Sequence, residues 1–326
     1  MDRDLIARID HTGDILGRAR DSLGQVIFGQ KDVVDLSLVA LLSGGHTLLI
    51  GVPGLAKTLL VSALGAVLGL DARRIQCTPD LMPADILGSE VLEEGADGRR
   101  AFRFIAGPVF CQLLMADEIN RASPRTQSAL LQAMQERHVA VAGVDRALPS
   151  PFHVLATQNP LEQEGTYPLP EAQLDRFLLQ IDVDYPDLAT ERKIMIETTG
   201  AALAVAEPVT DGLGLMDMQD LVRRLPVTEG VIDGILKLVR RGRPDQTDLE
   251  LVRRHVVWGP GPRACQALML TARARALMDG RDAPSLDDVI ALAPAVLSHR
   301  MALSYAARAE GVTLADVIDA LIEPLR

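Results

Sequence analysis

The chain is poor in aromatic residues and in positive charge. Aromatic residues make up only 3% of its 326 residues, with Trp258 as the single tryptophan, and the formal net charge is −11. Proteins that grip nucleic acid usually present a basic surface, and those that bind single strands add aromatic side chains for base stacking. The composition therefore disfavours a nucleic-acid partner.

Cysteines and long apolar runs are also scarce. Cys77, Cys111 and Cys265 are widely spaced, which indicates buried thiols in a reducing compartment and not a disulfide framework or a metal site. The apolar runs fall short of the ~18 residues that a membrane span needs, and the charged N-terminus lacks the apolar stretch of a signal peptide. We expect a soluble, cytoplasmic protein with no membrane span.

Short apolar runs alternate with helical patterns over the first half of the chain. Residues 1–25 have a loose helical spacing of aliphatic side chains, which predicts an N-terminal helical segment packed on the core. Apolar runs separated by helical stretches are typical of a parallel sheet with helices on both faces. The predicted strands of this sheet lie at 47–50, 75–77, 111–116, 152–157 and 177–183.

The strand patterns end near residue 186. We expect an α/β core over 26–186, a linker over 187–218 and a smaller all-helical lid domain over 219–326. Two connections inside the core are longer than a crossover requires, at about 86–107 and about 137–151. Each is predicted to form a hairpin, the first with a turn between Gly95 and Gly98.

The most specific motif directly follows the first predicted strand. It reads Gly51-Val52-Pro53-Gly54-Leu55-Ala56-Lys57-Thr58 and leads into an apolar helix that continues from Leu59. Glycines let the backbone approach phosphates, and a helix N-terminus points its amides at an anion. Lys57 would reach the β and γ phosphates of a nucleotide, and the Thr58 hydroxyl would hold Mg²⁺. Ala56 stands where the pattern has glycine, so the turn is expected to form unless this residue needs a positive φ.

Two carboxylates at the end of another predicted strand indicate that the bound nucleotide is hydrolysed. Asp117 can hold Mg²⁺ through its waters, and Glu118 can orient and deprotonate the water that attacks the γ-phosphate. The next strand ends near Asn159, whose amide can hydrogen-bond the γ-phosphate and the attacking water. Asn before Pro is also a common turn, so Asn159 alone is a weak signal.

Arg176 lies just ahead of a predicted strand, and Arg263 lies at the start of a predicted lid helix. In a lone subunit Arg176 could simply pair with Asp175 or Glu171. In a ring it could reach the γ-phosphate of a neighbouring subunit, where such a residue is worth ~10³–10⁵ in rate. Arg263 could contact the phosphate from the lid, within its own subunit or a neighbour.

These residues together resemble those of a MoxR-type AAA+ ATPase. The resemblance covers most of the chain in family order, at 44–58, 116–122, 126–136, 156–160, 169–177, 262–264 and 296–300. The loop before Arg263 reads Gly-Pro-Gly-Pro-Arg where the family more often has Gly-Ala-Ser-Pro-Arg, and the extra proline stiffens it.

The resemblance implies a ring, usually a hexamer, that hydrolyses ATP at subunit interfaces and remodels a protein client, often with a partner that contains a von Willebrand factor A domain. The two insertions would be the helix-2 insert and the hairpin before sensor 1, which face the pore in related proteins. By the resemblance, Lys57 and Thr58 belong to the Walker A motif and Asp117 and Glu118 to the Walker B motif. Asn159 would be sensor 1, Arg176 the arginine finger and Arg263 sensor 2. Residues 26–30, including Gly29 and Gln30, would contact the adenine.

Two other functions stay open at the level of sequence. A nucleic-acid motor related to AAA+ helicases would share the paired insertions, although the acidic balance argues against it. A nucleotide-gated scaffold would bind ATP and seldom hydrolyse it, and Glu118 and Asn159 are the residues that discriminate between the two behaviours.

Overall fold

A computed structural model describes residues 3–94, 100–162, 164–200 and 204–325. The strands are Thr47–Ile50 (β1), Ala72–Gln76 (β2), Gly88–Glu94 (β3), Arg100–Ala106 (β4), Leu113–Asp117 (β5), His138–Val141 (β6), Val144–Ala147 (β7), His153–Gln158 (β8), Leu179–Asp182 (β9), Val256–Trp258 (β10) and Ala302–Leu303 (β11). The helices are Arg3–Gly24 (α1), Lys31–Leu42 (α2), Lys57–Val67 (α3), Pro83–Leu87 (α4), Pro124–Glu136 (α5), Glu171–Leu174 (α6), Leu188–Thr198 (α7), Gly212–Arg224 (α8), Glu229–Arg241 (α9), Glu250–His255 (α10), Pro262–Met278 (α11), Leu286–Leu297 (α12), Tyr305–Ala309 (α13) and Leu314–Ile322 (α14).

Five parallel strands form the central sheet in the order β2-β5-β8-β1-β9, which confirms the predicted fold class. The three inner strands are almost entirely buried, as their apolar runs indicated. The edge strand β2 begins at Ala72, three residues before the predicted start. The difference arises because an edge strand can expose polar side chains, here Arg73 and Arg74.

Apolar side chains pack against both faces of the sheet. Successive residues of a strand point to opposite faces, so Leu113 and Met115 join one hydrophobic cluster while Leu114 and Ala116 join the other. The first cluster also contains side chains of α1, α2 and α3 and of the lid helices α8, α9, α11, α12 and α14. The lid therefore packs into the same core as the face of the sheet that carries α3.

The two long connections form hairpins that contact each other. β3 pairs antiparallel with β4, and β6 pairs with β7. The predicted turn between Gly95 and Gly98 lies outside the described residues. Arg146 on β7 joins the two hairpins, because its guanidinium lies 3.4 Å from Glu90 on β3 and 3.9 Å from the ring centre of Phe104 on β4.

The helical lid differs from the sequence expectation in two details. α8 begins at Gly212, where the Asp211 carboxylate accepts a hydrogen bond from the Gly214 backbone N–H, so the predicted boundary at 218 lies inside this helix. The lid also contains a short antiparallel ribbon of β10 and β11, whose three and two residues are too few to show a strand pattern. None of the helices in the described ranges combines the length and apolar character needed to cross a membrane.

Candidate active site

The carboxyl ends of β1, β5 and β8 meet at one edge of the sheet and surround a cavity of about 410 Å³. We call it the phosphate-loop cavity, and its lining residues are Pro53, Gly54, Leu55, Ala56, Lys57, Thr58, Leu59, Asp117, Glu118, Thr157 and Asn159. The structure therefore brings together the predicted loop, the acidic pair and the predicted strand-end amide. Gly51 lies at the base of the loop, and its backbone N–H donates to the Gln158 carbonyl.

The loop turns into α3 through two residues with positive φ. Gly54 has φ 86° and Ala56, the N-cap of α3, has φ 55°. The left-handed conformation suits Gly54 but is strained for an alanine by about 1–2 kcal/mol. From the sequence, the turn is expected to form only if residue 56 does not need a positive φ. The structure shows that this position does have a positive φ, and that the turn nevertheless forms with an alanine in it.

The Lys57 ammonium lies over the loop that precedes it. Its Nζ donates to the carbonyls of Gly51 and Val52, the latter at 3.0 Å. An ammonium has three donors, so one further donor is available for a phosphate oxygen. Burial lowers the pKa of Lys57, and the nearby carboxylates of Asp117 and Glu118 partly offset that shift.

The acidic pair is held in place by Thr157 on the adjacent strand. The Thr157 hydroxyl donates to Asp117 Oδ1 at 2.6 Å and accepts from the Glu118 backbone N–H at 2.8 Å. Glu118 has φ 55°, a second non-glycine residue in the left-handed region within this cavity. Local strain of this kind persists only where surrounding contacts fix it, and the buried Thr157 provides one such contact.

Side chains of the edge strand β2 reach the same carboxylates. Arg74 donates to Asp117 Oδ2 through Nη2 at 2.6 Å and Nε at 3.2 Å, and Gln76 Nε2 donates to Glu118 Oε2 at 2.8 Å. Sequence reasoning gave no role to Arg74, Gln76 or Thr157. Their polar character at strand ends was visible, but their partners depend on β2, β5 and β8 being neighbours.

The Asn159 side chain is oriented by a local turn. Its Oδ1 accepts a hydrogen bond from the Leu161 backbone N–H at 3.1 Å. Because the carbonyl oxygen is engaged, the Nδ2 group is the part of the amide that is suited to donate to a phosphate oxygen.

A smaller, mostly apolar pocket of about 100 Å³ adjoins the loop and includes residues of the predicted adenine contact at 26–30. Its lining includes Phe28, Gln30, Leu59 and Ile194, and Gln30 Nε2 donates to the Leu55 carbonyl at 3.2 Å. The neighbouring Gly29 shapes the turn instead of lining the pocket. It has φ 69°, and a Cβ at this position would lie 2.2 Å from Thr190.

Arg176 and Arg263 lie in a different place. Both line a second cavity of about 260 Å³ between the core and the lid, which we call the arginine cavity; its other lining residues are Gly44, Gly45, His46, Met134, Gln135, Asp175, Phe177, Leu178, Gln266, Ala267, Leu270 and Arg300. It shares no lining residue with the phosphate-loop cavity. The partners of Asp175 here are Arg300 at 2.9 Å and Arg263 at 3.6 Å, and sequence reasoning gave Arg300 no role.

The donor set of the phosphate-loop cavity fits a magnesium ion held mainly by phosphate. Thr58 and Asp117 contribute a hydroxyl and a carboxylate, which are the hard oxygen ligands that Mg²⁺ prefers. Within the described ranges no group of three or more His, Cys, Asp or Glu residues could hold a metal ion. Nucleotide phosphates and water would therefore supply most of the ligands.

Comparisons with known proteins agree with this geometry. A family model described as "ATPase family associated with various cellular activities (AAA)" matches residues 46–179, and a model of the AAA lid domain matches residues 249–321. Chaperone MoxR1 of Mycobacterium tuberculosis is 43% identical over 309 residues, covering 94% of this chain and 81% of that relative. Protein MoxR of Paracoccus denitrificans is 32% identical, with 93% of each chain covered.

The fold has a close counterpart among solved structures. The crystal structure of a Cytophaga hutchinsonii protein superimposes with a TM-score of 0.89 at 36% sequence identity, covering 96% of this chain and 94% of the other. The superposition therefore extends over both the α/β core and the lid.

Proposed function

We propose that this chain, which belongs to the MoxR family of AAA+ ATPases, binds ATP with Mg²⁺ and hydrolyses it in a homo-oligomeric, hexameric ring to remodel a protein client. The observation that carries the proposal is the phosphate-loop cavity, where Lys57, Thr58, Asp117, Glu118 and Asn159 line one space. A nucleoside kinase has no need of the acidic pair, whereas hydrolysis requires a group that activates water.

Each of these side chains has a role that its contacts support. Lys57 would bind the β and γ phosphates with its remaining donor, and the amides at the start of α3 would bind phosphate oxygens. Thr58 and Asp117 would hold Mg²⁺, which neutralises charge on the phosphates when bound. Glu118 would orient and deprotonate the water, while Asn159 would donate to the γ-phosphate.

The separation of the two cavities supports catalysis between subunits. Arg176 and Arg263 are absent from the lining of the phosphate-loop cavity and share the arginine cavity instead. A guanidinium that stabilises charge in the transition state must touch the transferring phosphate. We therefore assign both arginines to the nucleotide of a neighbouring subunit, which makes the ring necessary for a complete site.

The first hairpin offers a surface for a protein client. Leu92 on β3 and Phe102 on β4 pair across the hairpin and are 53% and 72% exposed. Exposed apolar pairs of this kind are suited to contact unfolded or loosely packed protein. From the chaperone name of the mycobacterial relative we infer that such a client is remodelled. The family resemblance leads us to propose that this takes place in the cytoplasm, with a partner that contains a von Willebrand factor A domain.

Replacing the general base tests the reaction. Glu118→Gln is expected to keep ATP binding and to lower turnover by about 10²-fold or more, because the amide cannot accept the proton of the attacking water. Glu162→Gln is a matched control, since Glu118 and Glu162 both pair with Arg121, at 3.2 Å and 3.6 Å, but Glu162 does not line the cavity. Equal turnover in wild type and Glu118→Gln would remove the assignment and favour a scaffold. If turnover is lost while ATP binding remains, co-purification with Glu118→Gln protein would identify the client.

A further inference from the structure

The acidic pair has a positive partner that the catalytic roles do not use. Arg74 lies on β2, whose Gln76 is opposite Asp117 in the register of the sheet. The Arg74 guanidinium donates two hydrogen bonds to Asp117 Oδ2, while the Thr157 hydroxyl donates one to Asp117 Oδ1. Both oxygens of the carboxylate that would help to hold the metal are therefore engaged by protein donors.

The two members of this ion pair differ in exposure. The Asp117 side chain is 14% exposed, whereas the Arg74 side chain is 50% exposed because β2 is at the edge of the sheet. A largely buried carboxylate is costly without a cation nearby. The guanidinium reaches this carboxylate from solvent, so it can also withdraw into solvent at little cost.

We propose that Arg74 is a positioning residue that neutralises Asp117 until a divalent cation arrives with the nucleotide, and that binding of the metal–nucleotide complex exchanges Arg74 for the cation. The inference rests on the proposed function of the phosphate-loop cavity. It concerns only the carboxylate and the guanidinium, whose contact is observed directly.

This role has two effects of opposite sign. Without a divalent cation, the nucleotide phosphates lie close to the carboxylates of Asp117 and Glu118, and Arg74 reduces the repulsion. With the cation present, Arg74 competes with it for Asp117. Removing the guanidinium should therefore weaken metal-free binding and lower the Mg²⁺ concentration required for tight binding.

The test is nucleotide binding, not turnover. Binding of a fluorescent ATP analogue is measured in EDTA and across a Mg²⁺ titration for the wild type, Arg74→Gln and Arg74→Lys. We expect Arg74→Gln to lower the Mg²⁺ midpoint by about three- to tenfold and to weaken binding in EDTA by a similar factor, as for a partly exposed charge-assisted pair. Arg74→Lys, which keeps the charge, should stay near the wild type.

Arg73→Gln is the matched control. Arg73 is the adjacent residue of β2, is exposed, and pairs with Asp71 at 3.3 Å instead of with the acidic pair. Its substitution should leave both measurements unchanged. An unchanged Mg²⁺ midpoint in Arg74→Gln would overturn the inference, as would weaker binding both with and without Mg²⁺, which indicates a structural role. If the wild type itself binds no nucleotide, the proposed function fails as well.

Discussion

The phosphate-loop cavity has Asp117 and Glu118 in its lining, whereas the arginine cavity has Arg176, Arg263 and Arg300. The first contains two non-glycine residues in the left-handed conformation, Ala56 and Glu118, and the second contains none. Backbone strain thus accompanies the side that would perform chemistry.

The arginine cavity is held instead by buried neutral histidines. His46 lines it, His153 contacts the Gly45 carbonyl at 2.9 Å, and His299 contacts the Phe177 carbonyl at 3.0 Å. Burial lowers the pKa of His46 and of His299 to about 3 and that of His153 to about 4. The phosphate-loop cavity contains strained backbone, whereas the arginine cavity is supported by histidines that stay uncharged. Different perturbations should therefore disable the two cavities.

The largest expected effect separates the two cavities between subunits. Arg176→Ala should lower ATP turnover by about 10³-fold or more while ATP binding stays intact, since the guanidinium would act only on the transferring phosphate of a neighbour. Lys57→Ala should instead lose nucleotide binding. Mixing the two inactive proteins should restore part of the turnover, because some interfaces then combine an intact loop with an intact arginine.

Arg254→Ala is the control for this mixing experiment. Arg254 is an exposed lid arginine that pairs with Glu310 at 2.7 Å and lies outside the arginine cavity. Its substitution should leave turnover unchanged. If Arg176→Ala and Lys57→Ala proteins show only additive loss when mixed, both cavities serve the same subunit and the comparison between them fails.

Acid should destabilise the protein through the buried histidines at the arginine cavity. The histidines have a pKa near 6.5 when unfolded and about 3 to 4 when folded, so the free energy of unfolding is unaffected by them above pH 6.5 and falls as the pH drops from 6.5 toward 4. Each contributes up to about 1.4 kcal/mol per pH unit in this window. Chemical denaturation at several pH values measures the slope.

Substituting single histidines shows whether they cause the slope. His46 donates from Nε2 to the Met134 carbonyl and accepts at Nδ1 from the Val154 N–H, and a glutamine can supply both functions without titrating. His46→Gln should therefore flatten the acid slope by about one histidine's share. Exposed His11→Gln should not change it. A slope that is the same in all three proteins would exclude His46 as a source of it.

Most of the sheet could be predicted from sequence, because buried parallel strands are continuous apolar runs. The phosphate loop and the acidic pair were also accessible, since each is a local motif. The start of β2 was not, because its edge position permits Arg73 and Arg74 to be exposed. The start of α8 was obscured by Gly212, whose presence suggested a linker although Asp211 caps the helix.

The missed site residues share one physical cause. Thr157 and Arg74 act on Asp117 only because β8 and β2 flank β5, and apolar runs do not encode the order of strands. The separation of Arg176 and Arg263 from the loop depends in the same way on how the lid packs. The order of strands in the sheet and the packing of the lid on the core therefore had to come from the structure.

A smaller loss is expected when the support of the acidic pair is removed. Thr157→Val keeps the shape of the side chain but leaves the Glu118 N–H without its acceptor and Asp117 Oδ1 without its donor, while Arg74 still donates to Oδ2. We expect turnover to fall by about tenfold and unfolding free energy to fall by about 1–3 kcal/mol. Thr157→Ser retains the hydroxyl and should recover most of both. Normal turnover in Thr157→Val would show that the carboxylates do not need this contact.

The smallest expected effect addresses strain in the loop itself. Ala56→Gly removes the Cβ from a residue with φ 55°, so relief of strain competes with the greater entropy of glycine in the unfolded chain. We expect the unfolding free energy to rise by up to about 1 kcal/mol. Ala66→Gly is the matched control, because Ala66 is an exposed residue with ordinary helical φ in the last turn of the same helix, where glycine should destabilise by up to about 1 kcal/mol. Changes of opposite sign in the unfolding free energy of the two variants would place the strain at the loop. Equal losses of unfolding free energy would show that Ala56 is not strained, and the contrast between the two cavities would then lie in charge alone.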